Sequence, residues 1–266
     1  MAPDRAVTWH YGLVARWWAL FRNDGPEIEF FRRYVEAGQP ALDLACGTGR
    51  LLVPYVASGL DVDGVDMSAD MIGYCRAALE AAHVETADAV GLFVQPVCEL
   101  DLPRCYATAF MCGGFGVGTV GDQDIAGLRR IRAHLQPGGT FVMDVEVVGE
   151  WPELHGPLPS PERTGPPRPE RRQTGPDGDQ YALRQRVLGV EGRVVRRELR
   201  VWRWRDGEVI GDERHELTSM IHHPDEIVAM MSEAGFVDVN VIGGYDGVEP
   251  SPVHRFLVYE GRNPEE

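Results

Sequence analysis

The sequence predicts an α/β protein: a mostly parallel sheet with helices on both faces, closed by an antiparallel strand pair and interrupted by an inserted antiparallel β ribbon. Three observations predict it. Short apolar runs alternate with helical apolar spacing from Ala41 to Val147, the pattern of a parallel sheet whose strands are buried on both sides. Between Tyr181 and Ile221, three strand-like runs are separated by Glu191-Gly192 and Asp206-Gly207, both hairpin signals. Runs near Phe236 to Ile242 and Arg255 to Tyr259 are joined by a loop holding Gly243, Gly244, Gly247, Pro250 and Pro252 and no helix, so they are expected to be antiparallel neighbours.

The elements follow in order. Apolar residues at 9, 13, 17 and 20, and again at 14, 18 and 21, mark one face of an aromatic-rich helix from Trp9 to Phe21. Asn23 to Pro26 stop that helix and start a second, Glu27 to Glu36, which Gly38 and Pro40 end. Strands are expected near Ala41 to Ala45, Asp61 to Val65, Leu92 to Pro96, Tyr106 to Cys112 and Thr140 to Val147, with helices near Arg50 to Ala57, Ala69 to Ala82 and Gln123 to Leu135. Pro137, Gly138 and Gly139 read as a tight turn into the fifth strand. Beyond Glu150, eight of the nineteen prolines fall before Gln180, a long excursion expected to be partly disordered or a lid. A helix near Asp225 to Ala234 precedes the last two strands. The expected organisation is 1–149 as N-terminal helices and core, 150–221 as the inserted cover, and 222–266 as completion of the core sheet.

Composition narrows the function classes. The formal charge of −15, from 41 acidic against 26 basic side chains, repels phosphate backbones and anionic lipid over most orientations. No nucleic acid and no membrane partner is expected. The start MAPDRAVTWHYG lacks a basic leader followed by an apolar core, and no uncharged apolar run reaches bilayer length, so a cytoplasmic protein is expected. Five cysteines show no zinc-site spacing; they read as reduced and structural, and no metal is expected. The basic run Arg193 to Arg205 alternates with Val194, Leu199, Val201, Trp202 and Trp204, which suggests a ribbon with one wet, charged face and not a phosphate site.

The segment ALDLACGTGRLLVP, Ala41 to Pro54, carries the chemistry. Gly47 and Gly49 follow a strand and open a helix, where the backbone can turn sharply and approach a ligand closer than a Cβ allows. Asp66 ends the next strand, where a carboxylate can accept from both ribose hydroxyls. Nicotinamide dehydrogenases share that geometry, but their third small residue would fall at Leu52, which opposes the close helix approach a pyrophosphate needs. Asp43, inside an apolar strand, is costly to bury without a cationic partner such as the ammonium of a methionine moiety.

With the Pro-Gly-Gly turn and the closing antiparallel strands, these features resemble the class I S-adenosylmethionine-dependent methyltransferases. The resemblance covers nearly the whole chain outside the proline-rich excursion and implies a Rossmann-like, seven-stranded, mostly parallel sheet with an antiparallel last strand. It implies S-adenosyl-L-methionine as cofactor. Asp43, Ala45, Gly47, Gly49 and Asp66 are implied at the methionine portion and ribose, Met67 along adenine, and Met111, Cys112 and Gly113 around the methionine and methyl. Two departures stand out. Ala45 replaces the first glycine, and Val97 and Cys98 stand where many relatives carry an aspartate for the adenine amino group. Tyr11 and Trp18 lie in the helix that caps the cofactor in relatives, with His10 beside them.

The acceptor side is thinner. A hydroxyl acceptor profits from a general base, and His222, before the helix signal Pro224-Asp225-Glu226, is the expected catalytic residue; the plainer alternative is a solvated strand end. The ribbon resembles the substrate cover of enzymes acting on specialised metabolites, so N- or O-methylation of a small molecule is expected, and a homodimer is compatible with the chain. Two other readings stay open at this point: a protein that binds S-adenosylmethionine without transferring methyl, as a ligand-responsive partner or rearrangement catalyst, and a nicotinamide oxidoreductase.

Overall fold

The computed structural model describes residues 8, 10–83, 89–146, 171–251 and 254–265. Trp9 and most of the proline-rich excursion, with the disorder expected there, lie outside the described residues. Two N-terminal helices, α1 (Gly12–Phe21) and α2 (Glu27–Ala37), lead into β1 (Ala41–Leu44), α3 (Leu52–Ala57), β2 (Val62–Asp66), α4 (Ala69–Ala81), β3 (Leu92–Val94), a 3-10 turn at Val97–Glu99, β4 (Tyr106–Cys112), α5 (Gln123–Ala133) and β5 (Leu135–Glu146). Four ribbon strands follow, β6 (Gln173–Thr174), β7 (Gln180–Glu191), β8 (Val194–Arg205) and β9 (Glu208–Met220). The chain ends with α6 (Pro224–Glu233), β10 (Val237–Gly243) and β11 (Phe256–Arg262).

The core sheet has seven strands in the order β10-β11-β5-β4-β1-β2-β3. β1 to β5 run parallel, and β11 runs antiparallel to both β5 and β10. Successive residues of a strand face opposite sides of the sheet, and the core divides accordingly. Leu42, Leu44, Met111, Phe141 and Met143 pack beneath Leu128 and Ile131 of α5 and Ile227 and Met231 of α6. Ala41, Phe110, Val142 and Val258 pack against Phe31 of α2, Tyr55 of α3 and Leu79 of α4. β1 is buried at every residue, so Asp43 shares the apolar interior of the α2–α4 side.

The ribbon is a separate four-stranded antiparallel sheet, β6-β7-β8-β9. Its hairpins fall at the expected dipeptides, where Gly192, Asp206 and Gly207 all have positive φ. One face receives α1: Val14 and Trp17 cluster with Tyr181, Leu199, Val201 and Leu217. The N-terminus of α1 is held from both sides, Gly12 N donating to Asp70 Oδ2 of α4 and Leu13 N to Glu213 Oε2 of β9, each at 2.7 Å. Two carboxylates at the positive end of a helix satisfy donors that no helical carbonyl reaches. A backbone seam joins the ribbon to the loop after β4: Met220 N donates to Gly116 O at 2.9 Å and Gly118 N to Thr218 O at 3.2 Å.

Several expectations need correction. α1 begins at Gly12, with His10 outside it. Pro137, Gly138 and Gly139 lie within β5 as a register shift, not before it: Leu135 pairs Tyr106 on one side and Thr140 pairs Thr108 on the other. Gly138 takes a φ of 73° there, so the irregularity is absorbed where proline has no N–H to lose. The ribbon gains a fourth, two-residue strand, β6. Its charged face is wet at Arg196, Arg214 and Glu216 but packed over the tryptophans: Trp202 is 1% exposed, with the guanidinium carbons of Arg184 and Arg200 lying 4.9 and 4.7 Å from its ring centre. Arg172 covers Trp204 at 4.0 Å. Arginine combines a cation for the ring face with an apolar stem, so it buries tryptophan as a carbon side chain would.

Candidate active site

The site grows from the turn after β1. Ala45, Gly47 and Gly49 all adopt left-handed φ, 55°, 57° and 84°, which swings the chain from strand to helix within a few residues. The two glycines do different work. A Cβ on Gly47 would meet nothing nearer than Ala45 O at 4.0 Å, whereas a Cβ on Gly49 would lie 2.7 Å from Cys75 Sγ and 2.8 Å from Val53 Cγ2. Gly47 therefore leaves space beside the turn, and Gly49 lets α4 and α3 close behind it.

Asp66 fastens this turn to the end of β2. Its Oδ2 accepts from Gly47 N at 3.0 Å and its Oδ1 from Ser68 N at 2.8 Å. Burial raises its pKa, and those two N–H donors oppose the rise. Each oxygen keeps a lone pair for a further donor. Asp43 lies deeper, 3% exposed; burial pushes its carboxyl well above the usual range, Cys75 and Asp66 add to this, and the Leu52 N–H opposes it. A cation beside it would reverse that balance.

At the end of β4, Met111, Cys112 and Gly113 are set by a network that sequence reasoning missed. Buried Asp144 of β5 accepts from Gly113 N and the Tyr245 hydroxyl, and Cys112 Sγ approaches it at 3.6 Å. Arg50 donates to Cys112 Sγ at 3.4 Å and pairs with Glu27. The only sequence signal for Asp144 is an acid in an apolar strand, the signal that singled out Asp43.

A cavity runs along the C-terminal ends of β1, β2 and β4. Of the expected residues, Trp18, Asp43, Ala45, Gly47, Asp66, Met67, Val97, Cys98, Met111, Cys112 and Gly113 line it. Tyr11, Gly49 and His222 are not among its lining residues. Tyr11 is 47% exposed and packs edge-on to His215 at 4.2 Å, because it precedes α1 and turns toward the ribbon. Gly49 is occupied by packing, as above. His222 sits behind the wall: its Nε2 lies 2.6 Å from Asp124 Oδ2, and its ring is 5.5 Å from Phe115.

Asp124 and Phe115 line the cavity in its place, with Thr119, Gln123 and His10. His10 is held edge-on to Trp18 at 5.6 Å, and burial lowers its pKa to about 4. It is the one histidine on the cavity wall among the described residues, and its imidazole is neutral at physiological pH. Among the described residues no group of three or more His, Cys, Asp or Glu side chains is arranged to hold a metal ion, and no helix is long and apolar enough to cross a membrane.

Residues 41–139 match the family model described as a methyltransferase domain. No curated protein matches the chain. Solved structures do. A sugar N-methyltransferase from Streptoalloteichus is 20% identical with a TM-score of 0.67, covering 100% of this chain and 99% of its own. An S-adenosylmethionine-dependent methyltransferase from Clostridium acetobutylicum is 15% identical with a TM-score of 0.67, covering 95% and 98%. An amino pentose methyltransferase from Micromonospora echinaspora, involved in calicheamicin biosynthesis, is 18% identical with a TM-score of 0.62, covering 97% and 100%. At these identities the likeness is one of fold, and it spans ribbon as well as core. Residues 41–139 thus match the methyltransferase-domain family model, and the whole chain shares the fold of these solved structures.

Proposed function

We propose that this protein is an S-adenosylmethionine-dependent methyltransferase acting on a nitrogen atom of a small amino-bearing molecule of specialised metabolism, an amino sugar being the first class to test. The observation that carries the reading is the continuous cavity that begins at the Gly47 turn and Asp66 and continues to Phe115 and Asp124 beside the ribbon seam.

The residues present fit the cofactor. Gly47 leaves open space, and an added Cβ on Gly113 would have nothing within 4 Å, so two stretches of bare backbone border the cavity. Asp66, oriented by Gly47 and Ser68, accepts from ribose hydroxyls. Asp43, otherwise a costly buried acid, gains a compensating charge from an ammonium nearby. Met67 and Val97 supply apolar contact for the adenine faces. Trp18, on α1, covers the cavity and excludes water, and clamping α1 between Asp70 and Glu213 holds that cover in place. When bound, S-adenosylmethionine supplies a methyl group on a sulfonium, open to in-line displacement, so the protein's main task is alignment in a dry pocket.

Nitrogen is favoured because the fold's counterparts above include a sugar N-methyltransferase and an amino pentose methyltransferase, and because an amine needs only to lose a proton. The ribbon serves as acceptor cover. The reading places the protein in the cytoplasm, in keeping with free Cys46, Cys75, Cys98, Cys105 and Cys112, with a homodimer as the assembly to test by light scattering. Incubation with methyl-labelled S-adenosylmethionine and a panel of amino sugars, each paired with its hydroxyl analogue, tests the function. Label should move to amines with stoichiometric S-adenosylhomocysteine. Tight cofactor binding with no transfer across the panel would favour a non-methylating role.

A further inference from the structure

Asp124 lines the cavity, but no partner there has yet been assigned to it. It is 6% exposed and lies in the first turn of α5, where the helix dipole favours a negative charge. One oxygen, Oδ2, takes both of its contacts, His222 Nε2 at 2.6 Å and Thr119 Oγ1 at 3.1 Å. The other, Oδ1, has no hydrogen-bond partner among the described residues. Oδ1 is not one of the fully buried atoms without a partner among the described residues, so it faces the cavity that Asp124 lines and can accept from a ligand there.

The surroundings indicate which donor. α5 packs on the 3-10 turn after β3: a Cβ on Gly127 would touch Val97 Cγ1 at 3.3 Å and Cys98 N at 3.8 Å. Asp124 is near enough to Cys98 to raise its thiol pKa, after burial and Glu99. The cofactor carries three groups of hydrogen-bond donors: the ammonium, the ribose hydroxyls and the adenine amino group. The cavity is lined by three aspartates, Asp43, Asp66 and Asp124. Asp43 and Asp66 sit at the first two strands, and Val97 and Cys98, which carry no carboxylate, sit beside the third. We infer that Asp124 Oδ1 accepts a hydrogen bond from the adenine amino group, and that His222 is a positioning residue that holds Asp124 in place and not a base acting on the acceptor. This rests on the reading that the cavity holds S-adenosylmethionine.

The inference also accounts for the sequence around it. Leu128 and Gly127 continue the wall below Asp124, and Gly127 lacks the side chain that would push α5 off Val97. The carboxylate reaches adenine from α5 because α5 stands that close to the turn at Val97–Glu99.

The test compares S-adenosylhomocysteine with S-inosylhomocysteine by titration calorimetry. The inosine base replaces the amino group with a carbonyl oxygen, which would face the carboxylate with lone pairs. The wild-type protein should prefer the adenosyl ligand by about ten- to a hundredfold. Asp124→Asn, whose amide can donate to the carbonyl, should erase most of that preference in a protein that still melts cooperatively. His222→Leu should reduce it, and His222→Gln, which can still donate to Asp124, should restore it; a purely structural role would weaken both ligands alike and leave the ratio unmoved. An unchanged ratio in Asp124→Asn, or no preference in the wild type, overturns the inference. A preference that survives while binding of 2-amino-2-deoxyglucose is lost would assign Asp124 to the acceptor and overturn it as well. Failure of the wild type to bind either nucleoside ligand would instead refute the proposed function on which it rests.

Discussion

The two glycines of the turn after β1 look equivalent in sequence, and the structure separates them into one that borders the cavity and one that packs against α3 and α4. Replace each with alanine. At Gly47 the φ of 57° imposes about 1–2 kcal/mol of left-handed strain on an L-residue, but the new methyl meets only Ala45 O at 4.0 Å. The fold should lose only that strain energy, and the methyl then stands where bound cofactor would press against bare backbone, so affinity should fall about tenfold or more, equivalent to about 1.4 kcal/mol. At Gly49 the φ of 84° adds similar strain, and the methyl arrives 2.7 Å from the sulfur of buried Cys75 and 2.8 Å from Val53. Overpacking costs about 1–3 kcal/mol, so the total destabilisation should reach about 2–5 kcal/mol. Urea unfolding of the ligand-free proteins measures the first quantity, and calorimetry with S-adenosylhomocysteine the second. Reasoning from the Cβ positions is refuted if Gly47→Ala binds normally, or if Gly49→Ala is as stable as the parent.

Other consequences follow from the same geometry. Gly116→Ala puts a methyl 2.7 Å from Met220 O at a φ of 75°, so the seam to β9 should open; hydrogen exchange at Met220 and Gly118 should rise with the core strands unchanged. Asp66→Ala unpairs the Gly47 and Ser68 N–H groups and should weaken S-adenosylhomocysteine binding by about 1–3 kcal/mol, whereas Asp66→Asn should retain part of it. His10 is neutral when folded down to about pH 4 against an ordinary value of 6.5, so as pH falls through that window the unfolded chain gains a proton that the folded one refuses. The stability it contributes, about 3 kcal/mol, is present above pH 6.5 and lost toward pH 4; the difference between parent and His10→Asn unfolding curves should shrink over that range, and parallel curves would show that the ring is not buried as described.

Much of the core was legible because its signals are local. Strand and helix periods in β1 to β5, the hairpin dipeptides and the helix-free connection between β10 and β11 each reside within a few residues, and the family resemblance supplied the sheet they belong to. The cavity's lining was legible where a motif is contiguous, as in Asp43 to Gly47 and in Asp66 and Met67. It was obscure where the chain had to fold back. His222 and Asp124 stand 98 positions apart, and Asp144 and Tyr245 101 apart, so no spacing rule couples them. Gly49 was misread for a different reason: positive φ, close packing and ligand approach all call for glycine, and only the neighbouring Cys75 decides which applies. The ribbon's alternation identified two faces correctly, but not that arginine stems and buried Glu198, paired with Arg186 at 2.7 Å, would seal Trp202 and Trp204 from water.

In the proposed function the cavity bounded by Gly47, Asp66 and Gly113 receives S-adenosylmethionine. Parallel calorimetric titrations of the whole chain with S-adenosylmethionine and with NAD test it most directly. One molecule of S-adenosylmethionine should bind per chain, with affinity lowered in Gly47→Ala, and NAD should give no heat of binding. Saturable binding of NAD with none of S-adenosylmethionine would make the cavity a nicotinamide site and overturn the proposed function.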